Sequence, residues 1–133
     1  MSASGTLTLS KEERLCSKKL IEQLFNGGTA RSMSSFPLRV VYVLVPRKEG
    51  QPQASILISV PKRHFKHAVD RNRVKRQLRE SFRRQKHVVL DTLHEKPGQT
   101  VALAFIWMEG QLRKSADVEQ RIKNLLMHVA EQL

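Results

Sequence analysis

The alternation of apolar and polar residues along the chain predicts three β-strands. Phe36–Val45 is rich in β-branched and aromatic residues, and Ala54–Val60 and Thr100–Met108 have the same character. The connection Pro46–Pro52 contains a glycine and two prolines, so the first two strands are expected to pair as a hairpin. Arg31–Ser35 is polar and is predicted to be a loop. The first strand has apolar residues on both faces, so the sheet is expected to be at least partly covered on both faces.

Apolar residues at helical spacing predict helices before, between and after these strands. The first helix is expected to begin at Ser10 and to end at Gly27-Gly28, because glycine favours the left-handed conformation that terminates helices. A second, strongly basic helix follows Pro61, and another turn or two of helix is predicted after His87. Asp117–Leu133 carries a helical stripe of apolar residues that is most simply explained as core.

The predicted order helix, strand, strand, helix, strand, helix is typical of an α+β fold. A chain of 133 residues, 40% of them hydrophobic, is about one domain and can close a real core. We therefore predict a single-domain α/β sandwich over residues 1–133, with a roughly four-stranded mixed sheet packed by helices. Residues 1–9 are expected to be flexible.

Charge is concentrated in one part of the chain. The formal net charge is +12, and the 25 residues from Lys62 to Lys86 hold eleven cations against Asp70 and Glu80. The other 108 residues hold 13 cations and 10 anions. This concentration of positive charge favours a polyanionic partner, because the neutralisation of phosphates releases their counterions. A solvated charged face is the alternative, but such faces usually mix both signs.

The basic helix is predicted to have two faces of different character. At 100° per residue, its apolar positions gather on the side expected to dock on the sheet: Val74, Leu78, Ser81, Phe82 and Gln85. A row on the opposite side is expected to point outward: Asn72, Arg76, Arg79 and Arg83. Arg71 lies near the apolar edge, where it is expected to point into a groove between helix and sheet.

The residues do not suggest catalysis by the protein itself. The twelve acids are scattered, without the clustered carboxylates that hold two metal ions, and His64 and His67 lack enough further ligands for zinc. No nucleophile motif is recognisable. Cys16 is the only cysteine, and neither a secretory signal nor a membrane-spanning run is apparent, so a cytoplasmic, soluble protein is expected.

The segment Ala68–Arg83, AVDRNRVKRQLRESFR, closely resembles the signature of the bacterial ribonuclease P protein subunit. SVPKR at Ser59–Arg63 and RLCSKKLIEQLFNGG at Arg14–Gly28 resemble its flanking strand end and first helix. The resemblance covers most of the chain. It implies a left-handed crossover between parallel strands and a protein, monomeric without RNA, that assembles with a catalytic RNA to remove the 5′ leader of precursor tRNA.

The resemblance also implies roles for particular residues. Contact with the catalytic RNA is expected for Arg71, Asn72, Arg73, Lys75, Arg76, Arg79 and Arg83. Contact with the single-stranded leader, in a cleft between the first helix and one sheet face, is expected for Ile21, Phe25, Arg39, Lys62 and Arg63. Ile21 and Arg39 stand where the family tends to have aromatic residues, which leaves room for charge and apolar contact instead of stacking. Mg²⁺, bound mainly by the RNA, is expected to perform the hydrolysis.

The sequence also allows two other classes of function. A ribosome-associated or other non-catalytic RNA-binding protein would use the same basic helix. A leucine-zipper basic region would continue into heptads, whereas Pro97-Gly98 arrives too soon. A metal-dependent nuclease acting alone would cleave RNA without an RNA partner, and the scattered carboxylates argue against it.

Overall fold

A four-stranded mixed sheet forms the centre of the fold. The computed structural model describes residues 21, 22, 24, 25, 28, 30–47 and 52–133. The strands are β1 (Arg31–Ser35), β2 (Leu38–Pro46), β3 (Ala54–Ser59) and β4 (Gln99–Trp107). Their spatial order is β1, β2, β4, β3. The prediction of a four-stranded mixed sheet packed by helices is confirmed.

The predicted hairpin between the first two predicted strands, which correspond to β2 and β3, is wrong. β4 lies between β2 and β3, pairing antiparallel with β2 and parallel with β3. β4 is suited to this central place because Val101, Leu103 and Phe105 on one face and Ala104 on the other are fully buried. A strand that is apolar on both faces is most stable where both faces are covered.

The prediction of a loop at Arg31–Ser35 is also wrong, because these residues form β1. Among the described strands it pairs with β2 alone and lies at the edge of the sheet, from Arg31 opposite Tyr42 to Ser35 opposite Leu38. Its sequence is polar because an edge strand remains largely exposed. Phe36 and Pro37, predicted to begin the next strand, form the turn between β1 and β2.

In the part of the chain that the structure describes, three helices cover one face of the sheet. They are α1 (Ala68–Gln85), α2 (His87–Leu93) and α3 (Ser115–Gln132). Their apolar sides form one core with Leu38, Val40, Leu103, Phe105 and Trp107 of the sheet. The predicted basic and last helices are confirmed, and α2 ends at Leu93, four residues before Pro97. Within the described ranges, no helix is both long and apolar enough to cross a membrane.

The opposite face of the sheet packs against the residues before β1. Ile21, Glu22, Leu24 and Phe25 are helical. Leu24 is buried in a second core with Val41, Val43, Val45, Ala102 and Ala104. Gly28 has a φ of 73°, the left-handed conformation predicted at the end of the first helix. The predicted start of that helix at Ser10 lies outside the described residues.

Candidate nucleic-acid interface

The outward side of α1 carries an exposed row of polar and cationic side chains. Asn72, Arg76 and Arg79 are exposed, and Arg83 is half-buried. Arg73 on the flank is exposed and Lys75 is half-buried. The inner side is fixed because Val74, Leu78 and Phe82 are completely buried. The orientation predicted from helical spacing is therefore the one that the helix adopts.

Among the residues described, carboxylates pair with two arginines near the C-terminal end of α1. Glu80 Oε2 accepts a hydrogen bond from Arg83 Nη2 at 2.7 Å, and Arg84 Nη1 lies 3.4 Å from Glu119 Oε1. The hydrogen bond from Arg83, together with the positive charges of Arg83 and Arg84, lowers the pKa of Glu80. In the same described set, no carboxylate pairs with Arg73, Arg76 or Arg79. Within the described part of the chain, these three guanidinium groups are therefore not neutralised by a carboxylate.

Arg71 has a different environment from the rest of the basic helix. Its side chain is half-buried, and Nη1 donates a hydrogen bond to the carbonyl oxygen of Phe65 at 2.8 Å. Phe65 is itself part of the main core. Arg71 thus lies at the apolar edge of α1, as predicted, and its guanidinium holds the chain segment that leads into the helix.

Among the residues that the structure describes, the second sheet face is open toward one end. Strand pairing places Arg39 of β2 beside Ile106 of β4, which in turn lies beside Ser59 of β3. Arg39 is exposed, and its Nη2 is 3.4 Å from the hydroxyl of Ser32. Ile106 is only partly buried. At this end of the face, the cationic side chain of Arg39 therefore lies beside the apolar Ile106.

Two predicted leader contacts, Ile21 and Phe25, belong to the helical residues that cover this face. Ile21 packs partly against the second core, whereas 47% of the Phe25 surface is exposed. Phe25 follows the buried Leu24, and its exposed ring is available for stacking on a nucleic-acid base. The structure thus brings Ile21, Phe25 and Arg39 to one side of the sheet.

The other two predicted leader contacts, Lys62 and Arg63, lie in the connection between β3 and α1. Both are exposed. The connection leaves β3 next to Ser59, so these cations lie toward the same end of the sheet as Arg39 and Ile106.

Two features of this region were not predicted. Phe36 is 57% exposed in the β1–β2 turn, and the proline after it was the signal for a turn rather than a strand. Gln77 of α1 is buried and donates from Nε2 to the carbonyl oxygen of Arg113 at 2.9 Å. Gln77 thereby ties α1 to the connection between β4 and α3, and the sequence gives no signal for that contact.

His64 and His67, on either side of Phe65 and Lys66, have different environments. His67 is exposed, whereas His64 is half-buried and its Nε2 has no hydrogen-bond partner there. No group of three or more His, Cys, Asp or Glu side chains in the described ranges is arranged to hold a metal ion.

The chain is similar in sequence to ribonuclease P proteins. A family model described as Ribonuclease P matches residues 9–130. The Ribonuclease P protein component of Porphyromonas gingivalis is 37% identical over 130 residues, which cover 98% of this chain and 92% of the relative. That of Chlorobaculum tepidum is 30% identical over 137 residues, covering 95% and 88%.

Solved structures agree at the level of the fold. The RNase P protein from Thermotoga maritima superposes with a TM-score of 0.64 at 23% identity, covering 87% of this chain and 96% of that protein. A Staphylococcus aureus RNase P protein mutant, described as defective in mRNA degradation activity, gives a TM-score of 0.65 at 16% identity. The alignment covers 98% of each chain.

Proposed function

Since the chain belongs to the ribonuclease P protein family, we propose that it is the RNA-binding protein component of a ribonucleoprotein that removes the 5′ leader of precursor tRNA. In this proposal the outward side of α1 binds the catalytic RNA, and the open sheet face binds the leader. The hydrolysis is performed by the RNA with Mg²⁺, and the protein supplies no catalytic group.

The single observation that carries the proposal is the row of cations on α1. Arg76 and Arg79 are exposed and without carboxylate partners among the residues described, while Leu78 between them is fully buried. Side chains three or four residues apart lie about 5–6 Å from each other on one helix face. Guanidinium groups donate in pairs to phosphate oxygens, so this row suits the backbone of a structured RNA.

The open sheet face suits a single strand better than a duplex. Single-stranded RNA exposes its bases, which stack on aromatic rings and on arginine, each stacked base contributing about 1–3 kcal/mol. Phe25 supplies an exposed ring, and Arg39 supplies a cation beside the apolar Ile106. Lys62 and Arg63 add positive charge toward the same end. We propose that these residues, with Ile21, contact the leader.

The two surfaces lie on opposite sides of the sheet. α1 packs with its inner side on the face that carries Leu38 and Phe105, whereas Arg39 and Ile106 belong to the other face. A protein arranged in this way can hold a catalytic RNA and a substrate leader at the same time. Its role is then to add substrate affinity and to screen the repulsion between two polyanions, which lowers the Mg²⁺ concentration that the RNA requires.

We assign the Mg²⁺ ions to the RNA subunit. The described residues contain no set of three His, Cys, Asp or Glu side chains that would hold a metal ion, so no donor set in that part of the protein competes with the assignment.

The proposal is tested by cleavage of a 5′-labelled precursor tRNA at low millimolar Mg²⁺. Three reactions are compared: the protein alone, the cognate RNA alone, and the two together. We expect no cleavage by the protein alone, slow cleavage by the RNA alone, and rapid release of the intact leader by the mixture. If the protein does not stimulate cleavage by the RNA, a non-catalytic RNA-binding protein is the better interpretation. Cleavage by the protein alone would identify an independent nuclease.

A further inference from the structure

Two glutamine side chains tie α1 to α3 and to the connection that precedes α3. Gln77 Nε2 donates to the carbonyl oxygen of Arg113 at 2.9 Å and lies 3.2 Å from Ser115 Oγ. Gln85 Nε2 donates to the carbonyl oxygen of Glu119, also at 2.9 Å. The two glutamines are eight residues apart, about 12 Å along the helix. α1 is therefore held by hydrogen bonds at two separate points.

These hydrogen bonds constrain the direction of α1 more tightly than its apolar contacts do. Val74, Leu78 and Phe82 determine which side of the helix faces the sheet, but apolar contact is not directional. A hydrogen bond weakens steeply when its geometry departs from linear. The bond from Gln77 therefore fixes the middle of α1, and the bond from Gln85 fixes its last turn.

The carbonyl group that accepts from Gln77 belongs to a residue that is itself held by ion pairs. The guanidinium of Arg113 pairs through Nε with Glu109, and through Nη1 with Asp117 Oδ2 at 2.8 Å. Glu109 lies four residues before Arg113 and Asp117 four residues after it, so one side chain spans the connection from β4 to the first turn of α3. The Glu109 side chain is only 12% exposed, so this pair is better shielded from water than an ordinary surface ion pair.

The β4–α3 connection also packs closely on its other side. An added Cβ on Gly110 would lie 2.8 Å from the carbonyl oxygen of His64. Because this neighbour is a backbone atom, it cannot move aside by rotation of a side chain. The connection that carries the Arg113 carbonyl group therefore has little freedom to shift.

Gln77 lies next to cations of the surface proposed to bind the catalytic RNA. Arg76 precedes it directly, and Arg73 lies one helical turn earlier. Both are exposed, and in the described part of the chain neither has a carboxylate partner. Side chains extend about 5–6 Å from the axis of a helix, so a rotation of about 20° would move their ends by about 2 Å. Paired hydrogen bonds from a guanidinium to phosphate oxygens would not survive a displacement of that size.

From these contacts we infer that Gln77 and Arg113 are positioning residues for the RNA-binding surface of α1. Arg113 fixes the β4–α3 connection, and Gln77 uses the Arg113 carbonyl oxygen to fix the part of α1 from which Arg73 and Arg76 reach the phosphates of the RNA subunit. The inference rests on the proposed function. Neither positioning residue contacts the RNA, because each acts through the backbone of another element.

A purely structural tie would have a different consequence. Its loss would lower the free energy of unfolding, as for any buried hydrogen bond, and would leave the RNA contacts of the folded protein unchanged. A positioning role requires instead that the effect on RNA binding depends on the presence of Arg73 and Arg76. Coupling of this kind is what a double-mutant cycle measures.

The test combines Gln77→Met with the double change Arg73→Ala/Arg76→Ala. Gln77→Met removes the hydrogen bond and keeps a side chain of similar length that can remain buried. Affinity for the labelled RNA subunit is measured at several salt concentrations, with folding of every variant checked by circular dichroism. Thr100→Val is the matched control, because Thr100 is also buried and its Oγ1 donates to the carbonyl oxygen of Pro52 at 2.7 Å, at the opposite end of β4.

We expect Gln77→Met to weaken RNA-subunit binding about threefold or more, and to reduce the salt slope by about 0.7 or more, as for one lost phosphate contact. When Arg73 and Arg76 are already Ala, the same change should alter the affinity less than about 1.5-fold, because the groups that it positions are absent. Thr100→Val should leave both the affinity and the slope unchanged. Equal effects of Gln77→Met in the two backgrounds, or no effect in either, would overturn the inference.

A second pair of variants keeps the test decisive if Gln77→Met folds poorly. Arg113→Gln removes the ion pairs with both Glu109 and Asp117, whereas Arg121→Gln removes the same charge and its ion pair with Asp117 at 3.2 Å. We expect Arg113→Gln to bind the RNA subunit about threefold more weakly than Arg121→Gln. Equal affinities of these two variants would overturn the inference.

Failure of the proposed function would be recognised separately. In that case the wild-type protein would not bind the RNA subunit, or would bind it equally well after Arg73→Ala/Arg76→Ala. If that double change weakens binding and Gln77→Met does not, the α1 surface binds RNA and only the positioning role is wrong.

Discussion

Arg83 donates a hydrogen bond to Glu80 across 2.7 Å, on the side of α1 that faces away from the sheet. The pKa of Glu80 is lowered by this bond, so the carboxylate stays ionised at neutral pH. A negative charge therefore lies within the cationic surface proposed to bind RNA. The Glu80 carboxylate pairs with Arg83 and also repels the phosphates of the RNA.

Glu80→Gln is expected to strengthen RNA binding. The change removes the negative charge while keeping a side chain of similar size. Exposed ion pairs contribute about 0.2–1 kcal/mol, so we expect a gain in affinity of up to about fivefold at low salt. Binding of the labelled RNA subunit is measured by titration. Glu131→Gln, an exposed acid on α3, is the control for net charge, and an equal gain in both variants would contradict a local effect.

Replacing Arg76, Arg79 and Arg83 together with Ala is expected to flatten the salt dependence of RNA binding. Each lost phosphate contact should reduce the slope of log affinity against log salt by about 0.7 to 0.9. The slope is obtained from titrations at several salt concentrations. A double change to Ala at the exposed Lys114 and Lys123 tests for a general effect of charge. An unchanged slope in the triple variant would mean that these arginines do not touch the RNA backbone.

Periodicity in the sequence was sufficient to predict the helices and the two faces of the strands. α1 and α3 bury the apolar stripes that their spacing predicts, and β4 separates Val101 and Phe105 from Ala102 and Ala104, as the alternation of side chains along a strand requires. Side-chain direction within an element depends on local geometry alone. For the same reason, the outward direction of the α1 cations could be predicted before the fold was known.

Strand order and the contacts of the connection between β3 and α1 could not be predicted in this way. Pairing of β3 with β4 joins segments that are far apart in the sequence, and local pattern favoured the wrong neighbour, β2. β1 was missed because an exposed edge strand needs no apolar alternation. The approach of Gly110 to His64 and the bond from Arg71 to Phe65 depend on how these separate segments pack.

Gln77→Ala is expected to destabilise the fold. The buried Nε2 of Gln77 donates to the carbonyl oxygen of Arg113 at 2.9 Å and to Ser115 Oγ at 3.2 Å. Losing these hydrogen bonds should lower the free energy of unfolding by about 1–2 kcal/mol, measured by urea denaturation. Gln120→Ala, at an exposed position of α3, is the control. Equal stability of the two variants would show that the tie between α1 and the β4–α3 connection contributes little.

Asp117→Asn is expected to change the stability of the protein in acid. Arg113 Nη1 lies 2.8 Å from Asp117 Oδ2, and Arg121 Nε lies 3.2 Å from Oδ1. The hydrogen bond from Arg113, followed by that from Arg121, lowers the pKa of Asp117 below its ordinary value of 3.8. Because the pKa is lower in the folded state than in the unfolded state, this stabilisation is present above the ordinary value. It is lost as the pH falls through the lowered one.

The Asn variant should therefore be less stable than the wild type at neutral pH, and the difference should shrink as the pH falls below about 4. Urea denaturation at a series of pH values measures it. Glu131→Gln on the same helix is the control. If the difference in stability between the two proteins stays constant down to the lowest pH at which they fold, this explanation is wrong.

The central claim is that the protein uses two separate surfaces for two RNAs, and one pair of variants tests it most directly. Phe25→Ala removes the exposed ring, and Met127→Ala, with the same 47% exposure on α3, is its control. Each is compared with the triple arginine variant in the assembled complex. Two quantities are measured: affinity for the RNA subunit, and the ratio of dissociation constants for tRNA without and with a leader.

We predict that Phe25→Ala lowers the ratio about fivefold or more, as expected for loss of one stacked base, and leaves RNA-subunit affinity unchanged. The triple arginine variant should weaken RNA-subunit binding and leave the ratio unchanged. If both variants change the same quantity, the two surfaces are not separate and the account is wrong.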